Sequence, residues 1–141
     1  MQVQPHLSFE GRCEEAIEFY RRALGAEVNV LMRFKDMPGP HPPGAFPPGA
    51  ENKVMHASFR IGDSTVLAAD GHCTGSASFQ GIQLALQVGD LATGERLFAA
   101  LSDGGQVQMP LMKTFWSPGF GMVVDRFGLT WMVNVAGNTT P

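Results

Sequence analysis

The series of predicted elements in this sequence runs through once and then begins again, and that repetition restricts the fold more than any single motif does. In the first half a short strand over 3–9 precedes a helix over about 14–24, which stops at Gly25. The helix is read from its spacing: Cys13, Ala16, Ile17, Tyr20 and Leu24 share one face. Glu14, Glu15, Glu18, Arg21 and Arg22 take the other, acids early and bases late as the helix dipole favours. A β-rich run over 27–34 follows, then strands over 54–61 and 64–69 joined by the tight Gly62-Asp63 pair, a hairpin signal. In the strand over 54–61, Met55, Ala57, Phe59 and Ile61 alternate with Val54, His56, Ser58 and Arg60.

The second half repeats this order. A strand over 82–88 leads to a helix over 91–101 with Leu97, Phe98 and Leu101 inward, then to a strand over 106–112. Strands over 120–125 and 129–135 pair around Arg126-Phe127-Gly128 as the last hairpin. The halves match at an offset of about 78 residues, and Phe19-Tyr20-Arg21-Arg22-Ala23-Leu24-Gly25 parallels the run from Leu97 to Gly105 with one residue inserted. Each half alone is too small for a good core, so both are expected in one domain. The expected fold is α+β: a module over about 1–70, a linker over 71–78 and a module over about 79–137. Each is a β-α-β-β-β unit.

Composition narrows the partners. Ten basic residues against thirteen acidic ones give a net charge of -3, with no Lys or Arg stripe to follow a phosphate backbone, so nucleic acid is not an expected partner. Apolar runs fall short of the roughly 20 residues that span a bilayer, and the first residues lack a secretory pattern. A cytoplasmic, membrane-free protein is the expectation. Cys13 and Cys73 stand far apart and form no zinc knuckle or CxxC pair, and both read as reduced thiols. The stretch 36–50 is rich in Pro and Gly and must be a long loop. Met37 and Phe46 would give it something apolar to lay over a ligand, and lid and plain connector both remain open.

Several segments resemble the PhnB-like branch of the vicinal-oxygen-chelate superfamily, which also holds glyoxalases, bleomycin-resistance proteins and extradiol dioxygenases. They are the stretch 5–20 with its Ala16-Ile17-Glu18-Phe19-Tyr20, Leu24-Gly25-Ala26-Glu27, Met55-His56-Ala57, Thr114-Phe115-Trp116 and Asp125-Arg126-Phe127-Gly128. The resemblance covers nearly the whole chain. It implies two side-by-side modules whose sheets curve as half-barrels around a small-molecule pocket and, in many members, a homodimer. Some members are named as demethylubiquinone methyltransferase homologues, yet no Gly-rich strand-to-helix turn of the kind that binds adenosylmethionine follows a strand here.

Metal-dependent members hold a divalent ion with His, Gln and Glu from the first and last strands of the modules. By that resemblance Gln83 stands at a usual ligand position and His6 at or next to its counterpart. Met132 replaces the expected Glu, and a thioether is a poor ligand for a hard ion. The strand over 65–69 offers no acid before Asp70. These are vestigial positions, and neither metal nor cofactor is expected.

Beyond metal, His6 and His56 are the candidate general bases, His56 sharing a strand face with Ser58 and Arg60. Thr114, Phe115, Trp116 and Trp131, with His6 and Gln83, are the candidate ligand-binding residues, because aromatic walls with few polar groups suit small-molecule pockets, and for the two tryptophans a place in the core stays equally open. The expected function is metal-free binding of an apolar or aromatic small molecule. The alternatives are a glyoxalase- or dioxygenase-type enzyme, metal-dependent or using a His base, and a structural dimer module.

Overall fold

In the computed structural model, residues 1–137 are described, and they form two compact units, Met1–Ala77 and a second that begins at Ser78. The first contains β1 (His6–Ser8), α1 (Cys13–Leu24), β2 (Glu27–Arg33), a 3-10 turn (Phe34–Asp36), β3 (Val54–Ile61) and β4 (Ser64–Ala69). The second contains β5 (Gln83–Val88), α2 (Leu91–Ser102), β6 (Gln106–Met112), β7 (Phe120–Val124) and β8 (Thr130–Val135). Each unit holds one four-stranded, unclosed mixed sheet, in the order β1-β4-β3-β2 and β5-β8-β7-β6. The two orders are the same topology. In both, the opening strand lies parallel to the closing strand and the other pairs are antiparallel.

The predicted strands over 54–61, 64–69 and 106–112 are found with those bounds. The first strand is shorter than its apolar pattern suggests, because it pairs only with β4 and is preceded by Pro5, which has no N–H to give. The segment 71–77, read from sequence as a linker, packs with the first unit. There the Glu10 carboxylate accepts hydrogen bonds from the Thr74 and His72 N–H groups, both at 3.1 Å.

In the first unit α1 lays Ala16, Ile17 and Tyr20 on the sheet, with the Tyr20 ring stacked 6.1 Å from Phe59. Phe19 is buried as well, edge-on to Tyr20 at 5.7 Å, so the apolar stripe is wider than the predicted face, while Leu24 is only half-buried. The helix ends at a left-handed glycine: Gly25, at φ 68°, donates to the Arg21 carbonyl as in the αL cap, and Ala26 donates to the Tyr20 carbonyl. Its start has no cap from its own flanking side chain. Asp70 supplies one from the far end of β4, its Oδ1 accepting from the N–H groups of Gly11 at 2.9 Å and Cys13 at 2.7 Å. Its Oδ2 accepts from Val54 N–H at 2.7 Å, so one buried carboxylate joins the starts of α1 and β3.

In the second unit α2 is capped locally, Asp90 accepting from Thr93 N–H at 2.8 Å, and it buries Gly94, Phe98 and Leu101. Glycine is required where α2 approaches the sheet: a Cβ on Gly94 would sit 2.7 Å from Val135, and one on Gly121 2.8 Å from the Phe98 ring. Asp125, 3% exposed, organises the final hairpin. Its Oδ1 accepts from Phe127 and Leu129 N–H, and its Oδ2 from the Trp131 indole at 2.9 Å.

Asp70→Ala would leave three amide donors in the first unit without their acceptor. The expected loss is about 3 kcal/mol, since each orphaned buried group costs on the order of 1–3 kcal/mol and partial relaxation recovers some of it. Urea denaturation of the variant checks this, and an unchanged midpoint would show that water replaces the carboxylate.

Candidate functional site

Register assigns the two faces of each sheet. In the second sheet Leu84, Trp131 and Val123 pair across strands on the face that packs against α2, as do Leu86, Val133 and Gly121. The opposite face carries three rows. Gln83, Thr130 and Val124 form the first; Ala85, Met132, Met122 and Met109 the second; Gln87, Asn134, Phe120 and Met112 the third. None of these residues is charged. Met109 and Met112 are exposed, and Met122, Met132, Asn134 and Phe120 are half-buried.

The aromatic segment closes one end of this face. Phe115, 88% exposed, meets Trp116 edge-on at 4.8 Å, and Trp116 meets Phe120 edge-on at 5.3 Å. The ladder is held from below by short polar bonds. Thr114 Oγ1 accepts from the N–H groups of Trp116 and Ser117, and the Ser117 hydroxyl lies 2.7 Å from the carbonyls of both Gly119 and Val135. In the third row Asn134 Nδ2 donates to Gln87 Oε1 at 2.8 Å, while Asn134 Oδ1 is buried without a hydrogen-bond partner.

The structure thus brings Phe115 and Trp116 to one end of a methionine-bearing face, over the Thr114 turn, with Gln83 on the same face. Trp131 is placed otherwise: it is 2% exposed on the α2 side of the sheet, its indole spent on Asp125. His6 is exposed on β1 in the first unit, in one row with Leu67, Ser58 and Val30. His56 is half-buried opposite Met32 on that same face, two strands from His6. Met109, Met112, Met122, Phe120 and Asn134 were not nominated from sequence. Their signal is the period-two alternation through Phe120, Met122, Met132 and Asn134, which the hairpin at Asp125 folds onto one face.

A cleft of about 580 Å³ lies elsewhere in the first unit, beside Arg12, Glu14, Arg33, Lys53 and Asp70. Its cations are engaged. Arg12 bonds Glu15, Arg33 bonds Glu14 and the Asn52 carbonyl, and Lys53 bonds the Gly11 carbonyl. None of the nominated residues lines it. The Cys13 thiol is pushed up by burial and then by the neighbouring Asp70 carboxylate, which leaves it unreactive. The loop between the 3-10 turn and β3 folds on itself, Phe46 packing on Phe34 at 5.6 Å and His41 edge-on to Phe46 at 5.5 Å.

A sequence model of the family described as 3-demethylubiquinone-9 3-methyltransferase matches residues 1–134. The chain belongs to this family. Protein YjdN of Escherichia coli strain K12 is 38% identical over 140 residues, covering 96% of this chain and 95% of that protein. The crystal structure of protein PA1353 from Pseudomonas aeruginosa has a TM-score of 0.83 at 39% identity, covering 96% of this chain and 98% of that one. The PhnB protein of Bacillus cereus follows at 0.79 and 26%, covering 96% and 100%. A glyoxylase/bleomycin resistance protein/dioxygenase domain from Frankia sp. EAN1pec shares the fold at a TM-score of 0.66 and 12% identity, covering 98% and 93%. The fold is thus the one implied by the sequence's resemblance to the vicinal-oxygen-chelate superfamily.

The metal-dependent members of that superfamily raise the question of whether this donor set fits a divalent ion. His6 and Gln83 occupy equivalent positions, each opening the parallel pair of its sheet. Across from β1 the closing strand offers Leu67 and Ala69, and across from β5 it offers Thr130 and Met132. No carboxylate stands at either closing strand, so the residues do not fit a hard divalent ion. Among the described residues no three His, Cys, Asp or Glu side chains form a metal-holding group.

The cleft does generate a pH dependence. Hydrogen bonding from Arg33 holds the Glu14 carboxyl below the usual carboxylate range. A depressed folded pKa stabilises above the unfolded value near 4.3 and loses that stability as pH falls through the folded value. Glu14→Gln should therefore cost about 0.5 kcal/mol at pH 7, the small figure of a solvent-screened pair, and nothing at pH 2. Paired urea titrations at the two pH values check the difference, and an equal loss at both would remove the ion pair as its cause.

Proposed function

We propose that this chain binds a small apolar or aromatic molecule on the face of the second sheet turned away from α2, without a resident hard metal ion. The observation that carries the reading is the continuity of the Phe115, Trp116 and Phe120 ladder with the row of Met132, Met122 and Met109. Polarisable, unbranched methionines adapt to the shape of a ligand, and aromatic edges supply rigid contact area. The Gln87 and Asn134 pair is the polar element that would orient it.

Methyl transfer, the activity in the family's description, has less support from the elements present. The strand-to-helix turns are Glu10-Gly11-Arg12 and Gly89-Asp90, and neither is Gly-rich. The amide groups at the start of α1 are already bonded to Asp70, and α2 is capped by Asp90.

Thermal-shift screening against aromatic and glycopeptide compounds, read together with tryptophan fluorescence, tests the proposal. At least one aromatic compound should raise the Tm and quench the fluorescence, with at least tenfold weaker binding in Trp116→Ala. Uniformly flat responses would sink it. Elemental analysis of the purified protein should find well under one equivalent of Zn, Ni, Fe or Mn per chain, and a full equivalent would overturn the metal-free clause.

A further inference from the structure

We infer that the thioethers of Met109, Met122 and Met132 form a binding site for a soft monovalent ion, Cu(I) or Ag(I). Four of the chain's eight methionines lie on one face of the second sheet, and these three stand in register on adjacent strands. Met122 is directly opposite Met132 on one side and Met109 on the other.

Directly opposed residues on antiparallel strands hold their Cβ atoms about 4.5–5.5 Å apart, which applies to Met122 and Met132, whereas β6 is irregular on both sides of Met109 and brings it opposite Met122 through a local shift of register. A methionine side chain has three rotatable bonds, so the outer two sulfurs can lean toward the central one and meet a single ion from three sides. Met112, on the same face in the next row, is a fourth thioether within the same patch.

The chemistry selects the ion. Thioether sulfur suits Cu(I) and is a weak ligand for Zn, Ni or Mn, which prefer imidazole and carboxylate. The three rows of this face contain no carboxylate to recruit a hard ion and no Lys or Arg to repel a cation. Access is open, since Met109 is 41% exposed and Met122 and Met132 are half-buried. The site shares its face with the proposed aromatic ligand but does not depend on it, and the two are measured separately because ligand screening uses no metal.

Protein carrying methyl-labelled methionine, titrated with Ag(I), gives the decisive reading by NMR. One equivalent should shift the methyl signals of Met109, Met122 and Met132 and leave Met1 and Met37 in place, whereas Zn(II) should move none of them. Met122→Leu preserves volume and should still fold, as circular dichroism would check. It should weaken Ag(I), and anaerobic Cu(I) measured against a chromophoric chelator, by at least tenfold, while Met37→Leu leaves both unchanged. Saturation with the three methyls unmoved would assign the ion to a cysteine such as Cys73 and overturn the site. So would an affinity unaffected by Met122→Leu, or the absence of Ag(I) binding at stoichiometric concentration.

Discussion

The first unit hangs on one buried carboxylate. Asp70 is 1% exposed and takes hydrogen bonds from Gly11, Cys13 and Val54, residues that belong to the start of α1 and the start of β3. A charge out of water is tolerated only when several donors replace its hydration, and backbone amides at a helix start are well placed to do so. Asp125 does the equivalent in the second unit, tying the last hairpin to the Trp131 indole. Both acids are thereby committed to structure. Both are turned away from the sheet faces opposite the helices, where the second sheet shows neutral side chains and the first shows histidines, Ser58 and the Arg60–Glu27 ion pair.

The repeat then explains how two sheets of one topology carry different chemistry. Helix packing constrains one face of each sheet, so Leu7, Ala57 and Ala68 in the first and Leu86, Val133 and Gly121 in the second are small or apolar and in register. The opposite faces bear no such constraint. The first shows His6, His56 and Ser58, and the second shows methionines and the Phe115, Trp116 and Phe120 ladder. Functional difference accumulates where the fold does not need a particular residue.

Much of this architecture was legible in the sequence because it rests on local periodicity. The alternation in 54–61 and the hairpin pair Gly62-Asp63 predict β3 and β4 with their observed bounds. What was not legible is long-range. Nothing near Cys13 announces that the start of its helix is capped by a residue 57 positions away, and the hold of Glu10 on His72 spans 62. The sequence alone leaves both Trp116 and Trp131 open between pocket wall and core, and for Trp131 strand parity decides. Trp131 pairs with Val123 and faces α2, whereas Met132, one residue on, faces away from it. The site's methionines were legible in principle once the Asp125 hairpin fixes which residues oppose one another.

The second sheet's face away from α2 also carries costs that stability alone does not favour. Phe115 is 88% exposed, Met112 is 56% exposed, and Asn134 Oδ1 is buried with no partner. An unpaired buried acceptor costs on the order of 1–3 kcal/mol, comparable to a large share of a small unit's net stability. These features are contiguous: Phe120 links the aromatic ladder to Asn134 on one side and Met112 on the other. On the α2 side of the same sheet Val123, Val133 and Val135 are buried and the Trp131 indole is bonded to Asp125, with Val107 on the edge strand exposed. Local rules broken together on one face, beside a consistent core, are what the proposal of a binding surface there rests on.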